Sequence, residues 1–256
     1  EYQVYIDDLY FVKSTNTTLP VSGPAVRPDR PAPVTAMWIW ECNELLEEQE
    51  KRDALFDFCS KYGVNELFFQ IIADSVPQGE GWSCEIGRRD ALRSFLAQCH
   101  AHGLRVHALD GYPDWALRPL HGKVIAQVQA LIDYNASVEP EERFCGIHYD
   151  IEPYLMIGFN DAEYKKKILR EYCELNALCA ALVREGSDMV YGVDIPFWYE
   201  EDGEGCVIAF NGKTQAVSYH LIDLCDNVGI MDYRDFTDGA DGIARHGLDE
   251  IRYADQ

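Results

Sequence analysis

A barrel of parallel strands wrapped by helices, the (β/α)8 TIM type of the α/β class, is the fold that the sequence predicts, and three observations predict it. From residue 36 onward, six strand-like apolar runs alternate with six helix-like amphipathic ones. Strict alternation of this kind implies parallel strands joined by right-handed crossovers. The first strand runs into Trp38-Ile39-Trp40-Glu41-Cys42-Asn43, where an open nucleotide-binding sheet would place a Gly-rich turn. Several of the strand-like runs end in an acid beside an aromatic, and in a barrel all such ends share one rim. Eight βα units close a barrel and only about six are legible here, so the expected barrel is incomplete. The alternative is a smaller open barrel whose edge strands need covering.

The elements follow in order. Glu1–Lys13 is rich in β-formers but far too short for a domain, so residues 1–19 are expected to be the terminal strand of a preceding β module. Its phrase Ile6-Asp7-Asp8-Leu9-Tyr10-Phe11 resembles the closing strand of jelly-roll carbohydrate-binding modules, which implies such a module as an adjacent partner. Prolines 20, 24, 28, 31 and 33 mark residues 20–34 as an extended linker. The barrel then fills 35–256, with its C-terminal part expected to be truncated. Its strands are expected at 36–40, 66–72, 104–110, 144–152, 189–196 and 227–232. The helices are expected at 44–62, 88–102, 123–134, 161–185, 214–225 and 241–254, the first, second and fourth stopped by Gly63, Gly103 and Gly186.

Forty-four acids against 22 bases give a formal charge of −22, which repels phosphate backbones and anionic membranes. Nucleic acid is therefore excluded as a partner. No stretch approaches the roughly 20 apolar residues of a membrane span, so no membrane span is expected. The nine cysteines form no CxxC pair, and several occupy apolar helix positions, as Cys99 does behind Leu92, Phe95 and Leu96. They read as buried free thiols rather than zinc ligands or a disulfide framework. No cofactor or metal is called for.

The chemistry centres on Phe144-Cys145-Gly146-Ile147-His148-Tyr149-Asp150-Ile151-Glu152-Pro153-Tyr154. A strand's period of two puts Ile147, Tyr149 and Ile151 on one face and His148, Asp150 and Glu152 on the other. Three polar groups stacked on one inward face would cost several kcal/mol to bury without partners or purpose. The purpose expected is catalysis, with Glu152 as general acid/base, Asp150 assisting it, and His148 beneath holding Asp150. Around them the rim supplies candidate substrate contacts: Trp40, Asp110, Tyr112, Tyr154, Asp194, Trp198, Met231, Asp232 and Tyr233. Asp110 and Asp194 could each equally cap the loop that follows. Carboxylates interleaved with flat aromatic faces suit a sugar ring.

Asp150-Ile151-Glu152 resembles the end of the Asp-x-x-Asp-x-Asp-x-Glu signature on strand four of family-18 chitinases and endo-β-N-acetylglucosaminidases. Met231-Asp232-Tyr233 resembles the start of that family's Met-x-Tyr-Asp on strand six. Cys145 and His148 stand where the signature has its first two Asp, and Arg234 replaces the final Asp. Glu152-Pro153 also looks like the end of the Asn-Glu-Pro of other retaining barrel glycosidases. Together these resemblances imply a glycoside hydrolase that acts on an oligo- or polysaccharide, secreted or at the cell surface. In the chitinase-like version Asp150 and Tyr233 hold a substrate N-acetyl group that serves as internal nucleophile. In the other, a second carboxylate about 5 Å from Glu152 attacks instead, and it would come from a strand beyond this sequence. The non-enzymatic alternative is a barrel that binds glycan without cleaving it.

Overall fold

The computed structural model describes residues 10–12, 34–200, 202–239 and 241–255. Most of the expected N-terminal module strand and all but Val34 of the expected linker lie outside these residues. In chain order the elements are β1 (Tyr10–Val12), β2 (Ala36–Ile39), α1 (Asn43–Glu47), α2 (Gln49–Tyr62), β3 (Glu66–Gln70), β4 (Ala73–Gln78), β5 (Gly81–Ile86) and α3 (Arg89–Ala101). They continue with β6 (Arg105–Asp110), α4 (His121–Ala136), β7 (Gly146–Tyr149), α5 (Ala162–Gly186), β8 (Val190–Pro196), β9 (Val207–Phe210), β10 (Lys213–Ala216), α6 (Val217–Leu224), β11 (Asn227–Met231), α7 (Ile243–His246) and α8 (Leu248–Ala254).

Strands β2, β3, β6, β7, β8 and β11 lie side by side in that order, all parallel. They curl into a half-barrel, the incomplete TIM type that the alternation predicts. On the outer edge of β11, β1 pairs antiparallel, with Phe11 opposite Val228. The period-two pattern assigns the two faces. Met37, Leu67, Phe69, Val106, Ala108, Ile147, Tyr149, Tyr191, Val193, Ile195, Val228 and Ile230 join one large apolar core under the helices. Ala36, Phe68 and Leu109 form a separate small cluster with Trp38. That second, inner face also buries Glu66, His107, His148, Asp194 and Asn227, which sets it apart from an ordinary apolar barrel centre.

Four expected boundaries are corrected, the first being the strand foreseen over 144–152, which spans Gly146–Tyr149 and leaves Asp150 and Glu152 in the loop after it. The helix foreseen over 44–62 is two helices, because Glu48 adopts an extended conformation (φ −113°, ψ 116°). Arg52, buried just beyond the break, donates 2.6 Å hydrogen bonds to the carbonyls of Leu45 and Leu46, which satisfies carbonyls that the end of α1 leaves open. The helix foreseen from Thr214 starts at Val217, because residues 213–216 pair with β9. Asn211 and Gly212, at φ 47° and 76°, make the tight turn between them, for which an Asn-Gly pair is the strongest short signal. A second hairpin, β4 with β5, turns at Gly79 (φ 60°) in a stretch the periodicity left unassigned. The final helix foreseen over 241–254 divides into α7 and α8 around Gly247.

Candidate active site

The inner face is built from the bottom up on buried polar pairs. His148 Nε2 lies 3.0 Å from Asp194 Oδ1, and its Nδ1 lies 3.2 Å from Asn227 Oδ1. Asp194 Oδ2 accepts a 2.8 Å hydrogen bond from the indole N–H of Trp38. Four strands are thereby tied through one carboxylate and one imidazole. Room for this comes from two glycines: a Cβ on Gly192 would fall 1.7 Å from Asn227 Oδ1, and one on Gly229 would fall 2.1 Å from Asp194 Oδ1. A glycine inside a strand signals such close approach. The expected role of His148 is thus corrected: its ring nitrogens serve Asp194 and Asn227 rather than Asp150. Asp194 does not cap a loop; it anchors the interior.

Asp150 sits where β7 gives way to a loop, its backbone N–H bonded to Asp110 O at 3.0 Å. Burial, then the charges of Asp194 and Glu152, push its carboxyl up to about 8. Its Oδ1 is buried and makes no hydrogen bond among the described residues. At neutral pH Asp150 is therefore mostly a neutral acid. Glu152, half-buried, accepts a hydrogen bond on Oε1 from the phenol of Tyr154. Burial raises the Tyr154 phenol, and Glu152, Asp150 and Tyr233 all lie close enough to raise it further. Trp198 meets Tyr154 edge-on at 5.5 Å between ring centres. Asp150, Glu152, Tyr154, Tyr233 and Trp198 consequently share one end of the half-barrel, with Asp194 near enough for its charge to raise Asp150.

The remaining sequence candidates divide. Trp40 (39% exposed) and Tyr112 (55%) stand on the same rim as open aromatic faces, Tyr112 packing on Trp115 at 5.4 Å. Met231 is buried on the inner side, opposite Pro196 in the register. Asp110 points the other way. It accepts from Gln127 Nε2 of α4 at 2.7 Å and from Gly111 N at 2.9 Å, while Gln127 in turn accepts from the Tyr149 phenol at 2.7 Å. It braces strand to helix. Asp232 is also turned away: fully buried, it faces the segment carrying Arg234, Asp241 and His246, and burial, with Asp241 adding to it, raises its carboxyl against the pull of His246 and Arg234. The reading from sequence missed Trp38 and Asn227 as partners of the interior. The glycines in Tyr191-Gly192-Val193 and Val228-Gly229-Ile230 were the available signal.

Among the described residues, no group of three or more His, Cys, Asp and Glu side chains is arranged to hold a metal ion, and no helix is long and apolar enough to cross a membrane. None of the nine cysteines forms a disulfide, seven of them being buried and Cys84 and Cys145 half-buried.

No protein-family model matches the sequence, and comparison with curated proteins finds no match. Solved structures do match in shape. The C-terminal domain of a protein assigned as a chitinase from Desulfitobacterium hafniense DCB-2 superposes with a TM-score of 0.58 at 10% identity, over 86% of this chain and 62% of that one. A chitinase from Bacteroides thetaiotaomicron gives 0.47 at 10% identity, over 85% of this chain and 60% of that one. The chain thus spans somewhat under two thirds of the length of the structures it resembles. At such identities the likeness speaks for the fold alone: this chain has a TIM-type barrel, six parallel strands of which are described.

Proposed function

We propose that the protein is a glycoside hydrolase acting on an oligo- or polysaccharide, with Glu152 as general acid/base and Asp150 assisting it. The observation that carries this reading is the pairing at the end of β7. A carboxyl pushed up to about 8 stands two residues from one that is hydrogen-bonded by a phenol, on the rim where barrels of this fold collect their chemistry. In the version favoured here, Asp150 and Tyr233 orient a 2-acetamido group, whose carbonyl oxygen attacks the anomeric carbon. The glycosidic C–O bond breaks, Glu152 gives its proton to the departing oxygen, and Glu152 then takes a proton from the water that opens the cyclic intermediate. Trp198, Trp40 and Tyr112 supply flat faces for sugar rings. Secretion or cell-surface display belongs to this reading as well.

The test is hydrolysis of oligosaccharides with and without N-acetyl groups. Turnover of the N-acetylated set, reduced about 10²–10⁴-fold by Glu152→Gln with binding retained, is the expected result. Turnover confined to sugars lacking N-acetyl groups would transfer the nucleophile to a second carboxylate and remove Asp150's assigned role. A second reading, a barrel that only binds glycan, is favoured by Tyr154 occupying Glu152 Oε1 and by Cys145 and His148 standing at two Asp positions of the chitinase signature. Binding without turnover in the unmodified protein would select it.

A further inference from the structure

At the opposite end of the half-barrel a second polar group lies outside the proposed sugar chemistry. Glu66 and Arg105 open β3 and β6, and Cys145 immediately precedes β7. His107, fully buried, places Nε2 2.6 Å from Glu66 Oε1, while Arg105 Nε lies 3.6 Å from Glu66 Oε2 with its own side chain largely in solvent. The Cys145 sulfur stands close enough to the same imidazole to raise it. Gly146 makes the approach feasible, since a Cβ there would fall 2.3 Å from His107 Nδ1. Cys145 is half-buried, not sealed, and in its neutral form the thiol donates to Val106 O at 3.2 Å. Sulfur, imidazole and carboxylate thus stand in the order nucleophile, imidazolium partner and orienting carboxylate.

We propose that Cys145 is a peroxide-reactive thiol, activated by His107, which Glu66 holds in place.

The electrostatics agree with the geometry. Burial alone would lower His107, but Cys145 and then Glu66 outweigh it and push the ring up to about 9. Burial would raise Glu66, yet the bond and charge of His107 together with Arg105 keep it below the ordinary carboxylate range. At neutral pH the ring therefore holds its proton and stands beside the sulfur as a cation. Burial raises Cys42, Cys59, Cys99, Cys173, Cys179 and Cys225. Cys84, equally half-buried, is raised by burial and by Asp110 and Asp74, against a hydrogen bond from Ser75.

In the reaction the sulfur attacks one oxygen of hydrogen peroxide as a thiolate paired with the His107 imidazolium. The S–O bond forms as the O–O bond breaks, and the departing hydroxide takes the imidazolium proton and leaves as water. Sulfur is oxidised by two electrons to the sulfenic acid and the peroxide is reduced.

The experiment treats the folded protein with sub-stoichiometric hydrogen peroxide, traps sulfenic acid with dimedone and maps the adduct by peptide mass spectrometry. The adduct is expected on Cys145 at about ten times the rate at Cys84, to vanish in Cys145→Ser, and to slow about tenfold in Glu66→Gln and in His107→Asn, with far-UV circular dichroism checking that each variant is folded. Equal labelling of Cys84 and Cys145, or an unchanged Cys145 rate in a folded Glu66→Gln, overturns the assignment. Should both buried variants fail to fold, the ratio of Cys145 to Cys84 in the unmodified protein decides alone.

Discussion

Replacing Asp150 by Asn is expected to stabilise the protein and to disable it. In the unfolded chain a carboxyl of this type titrates near 3.8, and in the fold burial and the neighbouring charges of Asp194 and Glu152 move it to about 8. Below about pH 4 both states hold the proton and the group leaves stability untouched. Between the two values the folded state keeps a proton that the unfolded chain releases, so each pH unit removes up to about 1.4 kcal/mol of stability. Above pH 8 the loss is complete. At pH 7 the interval of about three units corresponds to roughly 4 kcal/mol as an upper bound, since relaxation and coupling to Asp194 and Glu152 reduce it. An amide of the same shape carries no such dependence. Urea unfolding at pH 5, 6, 7 and 8 should therefore show the Asp150→Asn advantage growing with pH, while turnover of N-acetylated sugar falls. An advantage that is constant across that range, or a variant less stable than the parent at pH 8, would refute the assigned environment of Asp150.

The interior offers sharper steric and electrostatic tests. Gly192→Ala puts a methyl 1.7 Å from Asn227 Oδ1 and 2.7 Å from His148 Nδ1, and overpacking of this kind should cost about 1–3 kcal/mol or more; an unchanged melting temperature would show that the polar interior can yield. Asp194→Ala strips His148 and the Trp38 indole of a shared buried partner, with an expected loss of about 3–5 kcal/mol, read by denaturant unfolding. Removing this charge should also lower the Asp150 pKa, seen by carboxyl NMR titration. Glu250, pushed up to about 9 by burial and by its shared hydrogen bond with Glu200, should lose stability as pH rises from its unfolded value toward 9. Glu250→Gln should flatten that decline, and equal slopes in parent and variant would count against the acid pair.

The sequence by itself determined the order of strands and helices, the two faces of each strand, and the grouping at the end of β7. These follow from hydrophobic spacing, which is local: Ile147, Tyr149 and Ile151 are sorted from His148 and Asp150 by adjacency alone. The orientation of Asp110 and Asp232 was also legible in principle. Each continues the helix-facing parity of its own strand, after Val106 and Ala108 in one case and Val228 and Ile230 in the other. Judging every strand-end acid by its position, without its parity, misassigned Asp232 and left Asp110 open between a substrate contact and the loop cap it supplies through Gly111 N. Parity assigns Asp194 correctly to the inner face, opposite Tyr191, Val193 and Ile195.

Only the tertiary structure decided who meets whom inside the barrel. Trp38 and Asp194 are 156 positions apart, and His148 and Asn227 are 79 apart. Their contact depends on the register and curl of neighbouring parallel strands, a cooperative result of packing that no local pattern encodes. The same holds for Cys145, His107 and Glu66, which come from the residue before β7, from β6 and from β3. Face and period are properties of a segment and can be read from it; the depth at which two inward side chains meet belongs to the assembled sheet.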